Sequence, residues 1–61
     1  MGRLLDYKEA ADYLGIGEWV LRGLAKRGEV KVLQITRKTI RFDVRDLDAF
    51  VRRTRQRSQP S

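Results

Sequence analysis

The chain has 61 residues and neither cysteine nor histidine, so we expect one small domain with no metal or cofactor site, no catalytic residues and no enzyme activity. Its 14 lysines and arginines exceed its eight aspartates and glutamates, and the formal net charge of +6 indicates a polyanionic partner, either nucleic acid or an acidic membrane surface. No apolar run approaches the roughly 20 residues that span a bilayer or resembles a signal peptide, so we expect a soluble, intracellular protein.

The first predicted helix runs from Tyr7 to Leu14. Asp6 precedes it as an N-cap, and Glu9 completes a capping-box pattern. One face of this helix is apolar and includes two alanines, whose small side chains let a second helix cross closely. Gly15 suits the left-handed position after a helix end, and Gly17 suits the start of the next helix, so the sequence predicts a short turn between them.

The second predicted helix runs from about Glu18 to Arg27 and ends at Gly28. Val20, Leu21 and Leu24 form its buried face. The opposite face and its edges carry the candidate DNA-binding residues Glu18, Trp19, Arg22, Gly23, Lys26 and Arg27. A helix, a short glycine turn and a second helix are typical of the helix-turn-helix arrangement.

The polar face of this helix has two interpretations. In the first, Arg22 and Lys26 reach base edges or phosphates in the major groove of DNA; in the second, the face is only a solvated basic surface. Gly23 favours the first, because a glycine in mid-helix costs about 1 kcal/mol relative to alanine and a close approach of the backbone to DNA would explain that cost. For Trp19, a DNA contact and packing against the following hairpin both remain open.

From Val30 to Phe42 the apolar period changes from 3.6 to 2 and predicts a β-hairpin whose two-residue tip is Arg37-Lys38. In that register Leu33 and Ile35 share the apolar face with Ile40 and Phe42, and Val32 faces outward without an explanation. The residues at and beside the tip are candidates for a wing that contacts phosphates or enters the minor groove: Arg37, Lys38, Thr39 and Arg41. The alternative is a charged turn that discourages edge-to-edge strand pairing.

Asp43 is expected to cap a third helix, from Val44 to about Arg53, with a stripe of Val44, Leu47, Phe50 and Val51. Asp43, Asp46 and Asp48 do not form a metal site in this interpretation. Helical geometry turns Asp46 and Asp48 about 160° apart, and Asp43 is better used as the cap.

The last segment, residues 54–61, is polar and basic, so we expect residues 1–53 to form the domain and residues 54–61 a disordered, flexible tail. Four arginines lie close together at this boundary, and there is no acidic residue among them: Arg52, Arg53, Arg55 and Arg57. They suit a phosphate-binding arm, a segment that orders on a protein partner such as an integrase, or a solubilising tail.

Two segments carry a resemblance to a known family. The stretch Leu5-Asp6-Tyr7-Lys8-Glu9-Ala10-Ala11-Asp12-Tyr13-Leu14-Gly15-Ile16 resembles the opening of excisionase-like and MerR-like winged helix-turn-helix domains. The stretch Ile40-Arg41-Phe42-Asp43-Val44-Arg45-Asp46-Leu47-Asp48-Ala49-Phe50-Val51 is similar to the ending of the same domains. The chain departs from the family pattern at Gly17, where a capping serine or threonine is usual, and at Trp19 and Gly23 on the polar face.

The resemblance implies an α+β fold, a small winged helix-turn-helix with a two-stranded hairpin as the wing and a C-terminal helix. Because this sequence contains no long dimerising helix and no effector domain, it is similar to phage excisionases, the recombination directionality factors. The implied function is to bind and bend double-stranded DNA, to associate side by side on it, and to direct an integrase toward excision, in the cytoplasm of a bacterial host. The alternatives are a small MerR-like phage or plasmid transcription regulator and an adaptor whose basic face meets an acidic protein.

Overall fold

The computed structural model describes residues 3–58, which form three helices and a three-stranded antiparallel sheet. The elements follow the order β1 (Leu4–Leu5), α1 (Tyr7–Leu14), α2 (Glu18–Lys26), β2 (Leu33–Gln34), β3 (Ile40–Asp43) and α3 (Val44–Ser58). The predicted α+β winged helix-turn-helix is confirmed. None of the helices in this range is long and apolar enough to cross a membrane.

The first two helices begin and end where local chemistry requires. The predicted capping box is present: the Glu9 backbone N–H donates to Asp6 Oδ1 at 2.8 Å, and the Asp6 backbone N–H donates to Glu9 Oε1 at 3.1 Å. Gly15 ends α1 with a φ of 72°, a left-handed conformation that suits glycine. Gly17 is the N-cap of α2, and it offers no side chain to accept a hydrogen bond from the first turn. The buried Ala10 and Ala11 on α1 let α2 pack closely.

Strand β3 is the central strand, with β1 on one side and β2 on the other. Leu5 pairs with Phe42 in the β1–β3 ladder. Strand β1 was not predicted, because two residues are too few for a period-2 pattern to be detected. Just before this strand, the backbone carbonyl of Arg3 accepts a hydrogen bond from the Val44 N–H, which joins the N-terminal segment to the start of α3.

The predicted register of the hairpin is wrong by one residue. Leu33 pairs with Arg41 and Gln34 with Ile40, whereas a two-residue tip at Arg37-Lys38 would have paired Leu33 with Phe42. A shift of one residue moves every side chain of a strand to the other face. Leu33 therefore lies on the outer face of the sheet. The predicted partner Ile35 is 54% exposed, and Val32, which had no explanation, packs against the core.

A threonine explains this register. Thr36 Oγ1 accepts hydrogen bonds from the backbone N–H groups of Lys38 (3.3 Å) and Thr39 (3.1 Å), which closes a three-residue turn instead of a two-residue one. The backbone N–H of Ile35 then donates to the Thr39 carbonyl at 2.8 Å. Local side-chain bonding, rather than the apolar alternation, fixes how the two strands meet.

Helix α3 is longer than predicted. Asp43 caps it as expected, accepting the Arg45 backbone N–H at 2.8 Å, but the helix continues to Ser58. The prediction of a disordered tail from Thr54 is therefore wrong for residues 54–58, and residues 59–61 lie outside the described part. Just before the extension, Arg53 Nη2 donates to the backbone carbonyl of Glu29 at 2.8 Å.

The core lies where α1, α2 and α3 meet the inner face of the sheet. Its buried members are Leu5, Ala10, Ala11, Leu21, Val30, Phe42 and Leu47. Two predicted core positions are outside it, since Val20 is 37% exposed and Val51 is 38% exposed. Helices α1 and α3 are also joined at the surface, where the Tyr13 hydroxyl donates to Asp48 Oδ1 at 2.6 Å, a bond that raises the pKa of Tyr13.

Candidate nucleic-acid interface

The side of α2 that points away from the core is the candidate interface, and we call it the outer face. It carries the residues selected from the sequence: Glu18, Trp19, Arg22, Gly23, Lys26 and Arg27. All of them are exposed except Gly23, which is half-buried. Leu21 on the other side of the same helix is completely buried, so α2 is anchored in the core while this cationic surface stays exposed.

Gly23 has no packing role in the described structure. A Cβ added at this position would have only Arg27 Nη1, at 3.7 Å, as a neighbour outside the backbone of its own helix and the adjacent residues. The backbone conformation does not require a glycine either, because its φ is not positive. The protein fold therefore gives no reason for the helix-weakening residue at the centre of the outer face.

Arg22 lies over an aromatic pair, Tyr7 and Phe42, that begins in the core. The ring of Tyr7 meets the buried ring of Phe42 edge-on, with centroids 5.0 Å apart and an interplanar angle of 75°. The Arg22 guanidinium carbon lies 4.7 Å above the Tyr7 ring, in cation–π geometry. A guanidinium held over the face of a ring can still donate from its N–H edges, as bidentate hydrogen bonding to a guanine requires.

A cleft of about 530 Å³, which we call the tryptophan cleft, separates the outer face from the sheet. It is lined by Tyr7, Trp19, Arg22, Gly23, Ala25, Lys26, Val32 and Ile40. Trp19 bears on the choice between a DNA contact and packing against the hairpin. Its side chain is 80% exposed, so it stands at the rim of the cleft and is not packed against the hairpin.

A second cleft of about 420 Å³, the wing cleft, continues the same surface toward the hairpin. Arg22 lines both clefts, and in the wing cleft it is joined by Lys8, Glu18, Lys38 and Arg41. Two of the predicted wing residues and the centre of α2 therefore lie on one continuous surface. Lys8 and Tyr7 were not selected from the sequence, because Tyr7 belongs to the apolar stripe of α1 and nothing in the pattern places it beneath an arginine.

The four predicted wing residues have different environments. Arg37 and Lys38 are exposed at the turn. Arg41 is half-buried and its Nη1 donates to the Ile40 carbonyl at 2.8 Å, while Thr39 is committed to the backbone bonds of the turn. The structure thus leaves Arg37 and Lys38 as the two cations of the wing with the greatest reach.

The four arginines at the end of α3 do not act as one group. Arg53 and Arg57 line a depression beside Gly28 and Glu29, whereas Arg55 borders a largely apolar groove that includes Leu14, and Arg52 is exposed. The Arg27 guanidinium donates to Glu29 at 2.9 Å and, with Arg57 and Arg53 nearby, holds the pKa of that carboxyl below its usual value. Part of the charge of Arg27 is therefore neutralised within the chain.

A family model described as a helix-turn-helix domain matches residues 4–55. The match includes α1, the turn, α2, the sheet and most of α3. No curated protein and no solved structure shows a significant match to the chain.

Proposed function

Because the chain belongs to the helix-turn-helix domain family, we propose that it binds double-stranded DNA with α2 in the major groove and the β2–β3 hairpin as a wing. An α-helix fits the width of the major groove, and the N-terminal residues of a recognition helix contact base edges there. The observation that carries this proposal is the outer face of α2, which is exposed, cationic at its centre and continuous with Lys38 of the wing.

Each part of this surface has a chemical role in the proposal. Arg22 donates to guanine and Lys26 to a neighbouring acceptor, whereas Glu18 accepts from the amino group of a cytosine. Arg37 and Lys38 neutralise phosphates and thereby fix the orientation of the domain without reading sequence. Nothing in this mechanism requires a cofactor, a small-molecule substrate or a catalytic step.

The test begins with selection of preferred sites from random duplexes, followed by affinities for the selected and a random duplex at fixed salt. We expect Arg22→Ala and Lys26→Ala to weaken binding to the selected site more than to the random duplex. Arg37→Ala and Lys38→Ala should weaken both about equally. The matched control is Arg3→Ala, which removes the same charge from an exposed side chain beside Glu9 and Asp12, in a depression that shares no residue with either cleft.

Equal losses on both duplexes for all four variants would contradict this division of roles. A protein that binds neither duplex at low salt would contradict DNA binding altogether. That second result would favour the adaptor that meets an acidic protein.

At a finer level we propose that the chain is an excisionase, a recombination directionality factor that bends DNA and directs an integrase toward excision. The support is the resemblance of residues 5–16 and 40–51 to excisionase-like domains. The two segments are in contact, since Phe42 of the second packs on Tyr7 of the first. The proposed partners are double-stranded DNA, an integrase and further copies side by side, in the cytoplasm of a bacterial host. The second candidate, on the same resemblance, is a small MerR-like transcription regulator.

The two candidates differ in assembly and in their effect on recombination. An excisionase is expected to be a monomer in free solution, to bind tandem sites cooperatively with bending, and to increase integrase-mediated excision of an attachment-site substrate. Sedimentation, gel shifts on one and several tandem sites, and the recombination assay report these properties. A stable DNA-free dimer that binds isolated sites independently, with no effect on excision, would leave the transcription regulator as the better proposal.

A further inference from the structure

The side chain of Trp19 is unusually exposed to solvent. Its indole is the most exposed of the large apolar side chains that the structure describes, at 80% of its surface, and it lies in the first turn of α2. Tryptophan normally buries 150–250 Å² of surface, and that burial is a major source of stability in cores and interfaces. An indole exposed in the free protein beside the cations of the proposed DNA-binding surface suits an apolar partner that is supplied by the ligand.

The indole has a defined position. A Cβ added at Gly17 would lie 3.4 Å from both Cδ1 and Nε1 of Trp19, so the five-membered ring rests beside the turn before α2. The apolar residues Val32 and Ile40 line the same cleft. The charged residues that line this cleft in the described part of the chain are both cations, Arg22 and Lys26.

A ligand for this cleft must therefore present a small apolar group next to hydrogen-bond acceptors. In the major groove the acceptors that suit Arg22 are the N7 and O6 atoms of guanine, and the apolar group is the 5-methyl of thymine. Trp19 precedes Arg22 by three residues and Gly23 by four, so the three positions lie side by side on one face of α2. The missing side chain at Gly23 leaves room for the edge of a base pair between them.

We propose that Trp19 packs against the 5-methyl group of a thymine adjacent to the guanine bound by Arg22. This inference rests on the proposed function, since it needs α2 in the major groove. It makes Trp19 a specificity-determining residue that distinguishes thymine by its methyl group, through apolar contact.

The test uses the selected duplex with each thymine replaced in turn by deoxyuridine, which removes only the methyl group. We expect one replacement to weaken binding about three- to fivefold, the effect of losing one buried methyl group. Trp19→Ala should weaken binding to the thymine duplex by at least as much and should be insensitive to that deoxyuridine, because the two changes remove the same contact. Since the side chain is largely exposed, the variant should melt as the wild type does.

The matched control is Arg37→Ala, which should bind more weakly overall but remain as sensitive to deoxyuridine as the wild type. Trp19 is the only tryptophan in the chain, so its fluorescence emission reports the contact directly and should change when the selected duplex binds.

Three results would overturn the inference, and they are distinguishable. Selection without any enriched sequence would contradict the proposed function and this inference together. Specific binding that no deoxyuridine weakens would leave the function standing and reject the methyl contact; a strong change in Trp19 emission in that case would point to stacking between bases. A Trp19→Ala variant as sensitive to deoxyuridine as the wild type would assign the methyl contact to another residue.

Discussion

Gly23 and Gly28 lie close together in sequence, yet replacement by alanine is predicted to have opposite effects on stability. Gly23 is in mid-helix, and a Cβ there would make only an ordinary contact with Arg27 Nη1 at 3.7 Å, so Gly23→Ala should stabilise the fold by about 1 kcal/mol through helix propensity. Gly28 has a φ of 78°, and Gly28→Ala should destabilise the fold by about 1–2 kcal/mol, because a Cβ is disfavoured in the left-handed region. Thermal or urea denaturation measures both changes.

The Gly23→Ala variant separates an effect on stability from an effect on DNA binding. We expect the more stable Gly23→Ala protein to bind the selected duplex less tightly, because the added methyl group stands between α2 and the base edges. A variant that is stabilised and binds DNA as the wild type does would show that the α2 backbone does not approach DNA closely at this point.

The Asp43 carboxylate makes the stability of the fold depend on pH in the acidic range. Its carboxylate accepts hydrogen bonds from the Arg45 guanidinium, at 3.0 Å and 3.3 Å, and from the Arg45 backbone N–H, and these lower its pKa in the folded state. A group whose folded pKa is depressed contributes stability above its unfolded pKa of about 3.9, and that contribution is lost as the pH falls through the folded value. Glu29 acts in the same direction.

We therefore predict that Asp43→Asn, which can still cap α3, lowers the melting temperature at pH 6 but has little effect near pH 2. Melting curves across this range test the prediction. Asp12→Asn, an exposed carboxylate on α1, is the control and should follow the wild-type dependence. An Asp43→Asn protein whose stability falls with pH as steeply as that of the wild type would exclude Asp43 as a source of the dependence.

Residue roles that depend on near neighbours in sequence could be predicted, and those that depend on the tertiary fold could not. The Asp6–Glu9 capping box and the Asp43 cap are local, so the residue types and their spacing specify them. The bond from Tyr13 to Asp48 joins residues 35 positions apart, and the support of Arg22 by Tyr7 requires α1 and α2 to be packed first.

At the level of elements, the end of α3 depends on a contact that the sequence pattern does not contain. Arg53 bonds the Glu29 carbonyl in the α2–β2 loop, and this contact stabilises helix where composition predicts disorder. We expect Arg53→Ala to destabilise the fold by about 0.5–1.5 kcal/mol, the usual net value of one hydrogen bond, and to accelerate amide exchange over residues 54–58.

The neighbouring Arg52→Ala is the control for this prediction. It removes the same charge from the adjacent residue of α3, but the bond to the Glu29 carbonyl comes from Arg53, so Arg52→Ala should leave the melting temperature and the exchange rates unchanged. Equal effects of the two variants would mean that helix propensity, and not the bond to the loop, sets the end of α3.

In the hairpin, the period of the apolar residues predicted the strands but not the register in which they pair. Alternation located both strands, but the apolar residues Leu33 and Ile35 predicted a register that is wrong by one residue. The choice was made by Thr36, whose hydroxyl bonds set the turn length. The strongest sequence signals for the type of a hairpin turn are Asn-Gly and Asp-Gly, which this tip lacks.

For the whole molecule, the distribution of charge predicts how binding responds to salt. Cations dominate α2 and the wing, whereas Glu9, Asp12, Asp46 and Asp48 lie on α1 and the first half of α3. If about four to six phosphates are neutralised, the logarithm of the affinity for a random duplex should fall with the logarithm of salt concentration with a slope near −4 to −5. Arg37→Ala should make the slope shallower by about one, and Arg3→Ala should not change it.

Binding measured between about 50 and 200 mM salt provides this slope. A value shallower than about −1.5 would mean that fewer than two phosphates are neutralised. The basic surface would then need another polyanionic partner to explain it.

We expect DNA to contact the outer face of α2 and the wing together. A solution NMR titration of the labelled protein with the selected duplex measures this contact residue by residue, because each backbone amide reports its own environment. The largest shifts should fall at Trp19, Arg22, Gly23, Lys26 and Lys38, with Glu9, Asp12 and Arg45 on the other side nearly unchanged. Large shifts confined to α3, or to the surface around Glu9 and Asp12, with α2 unaffected, would contradict it.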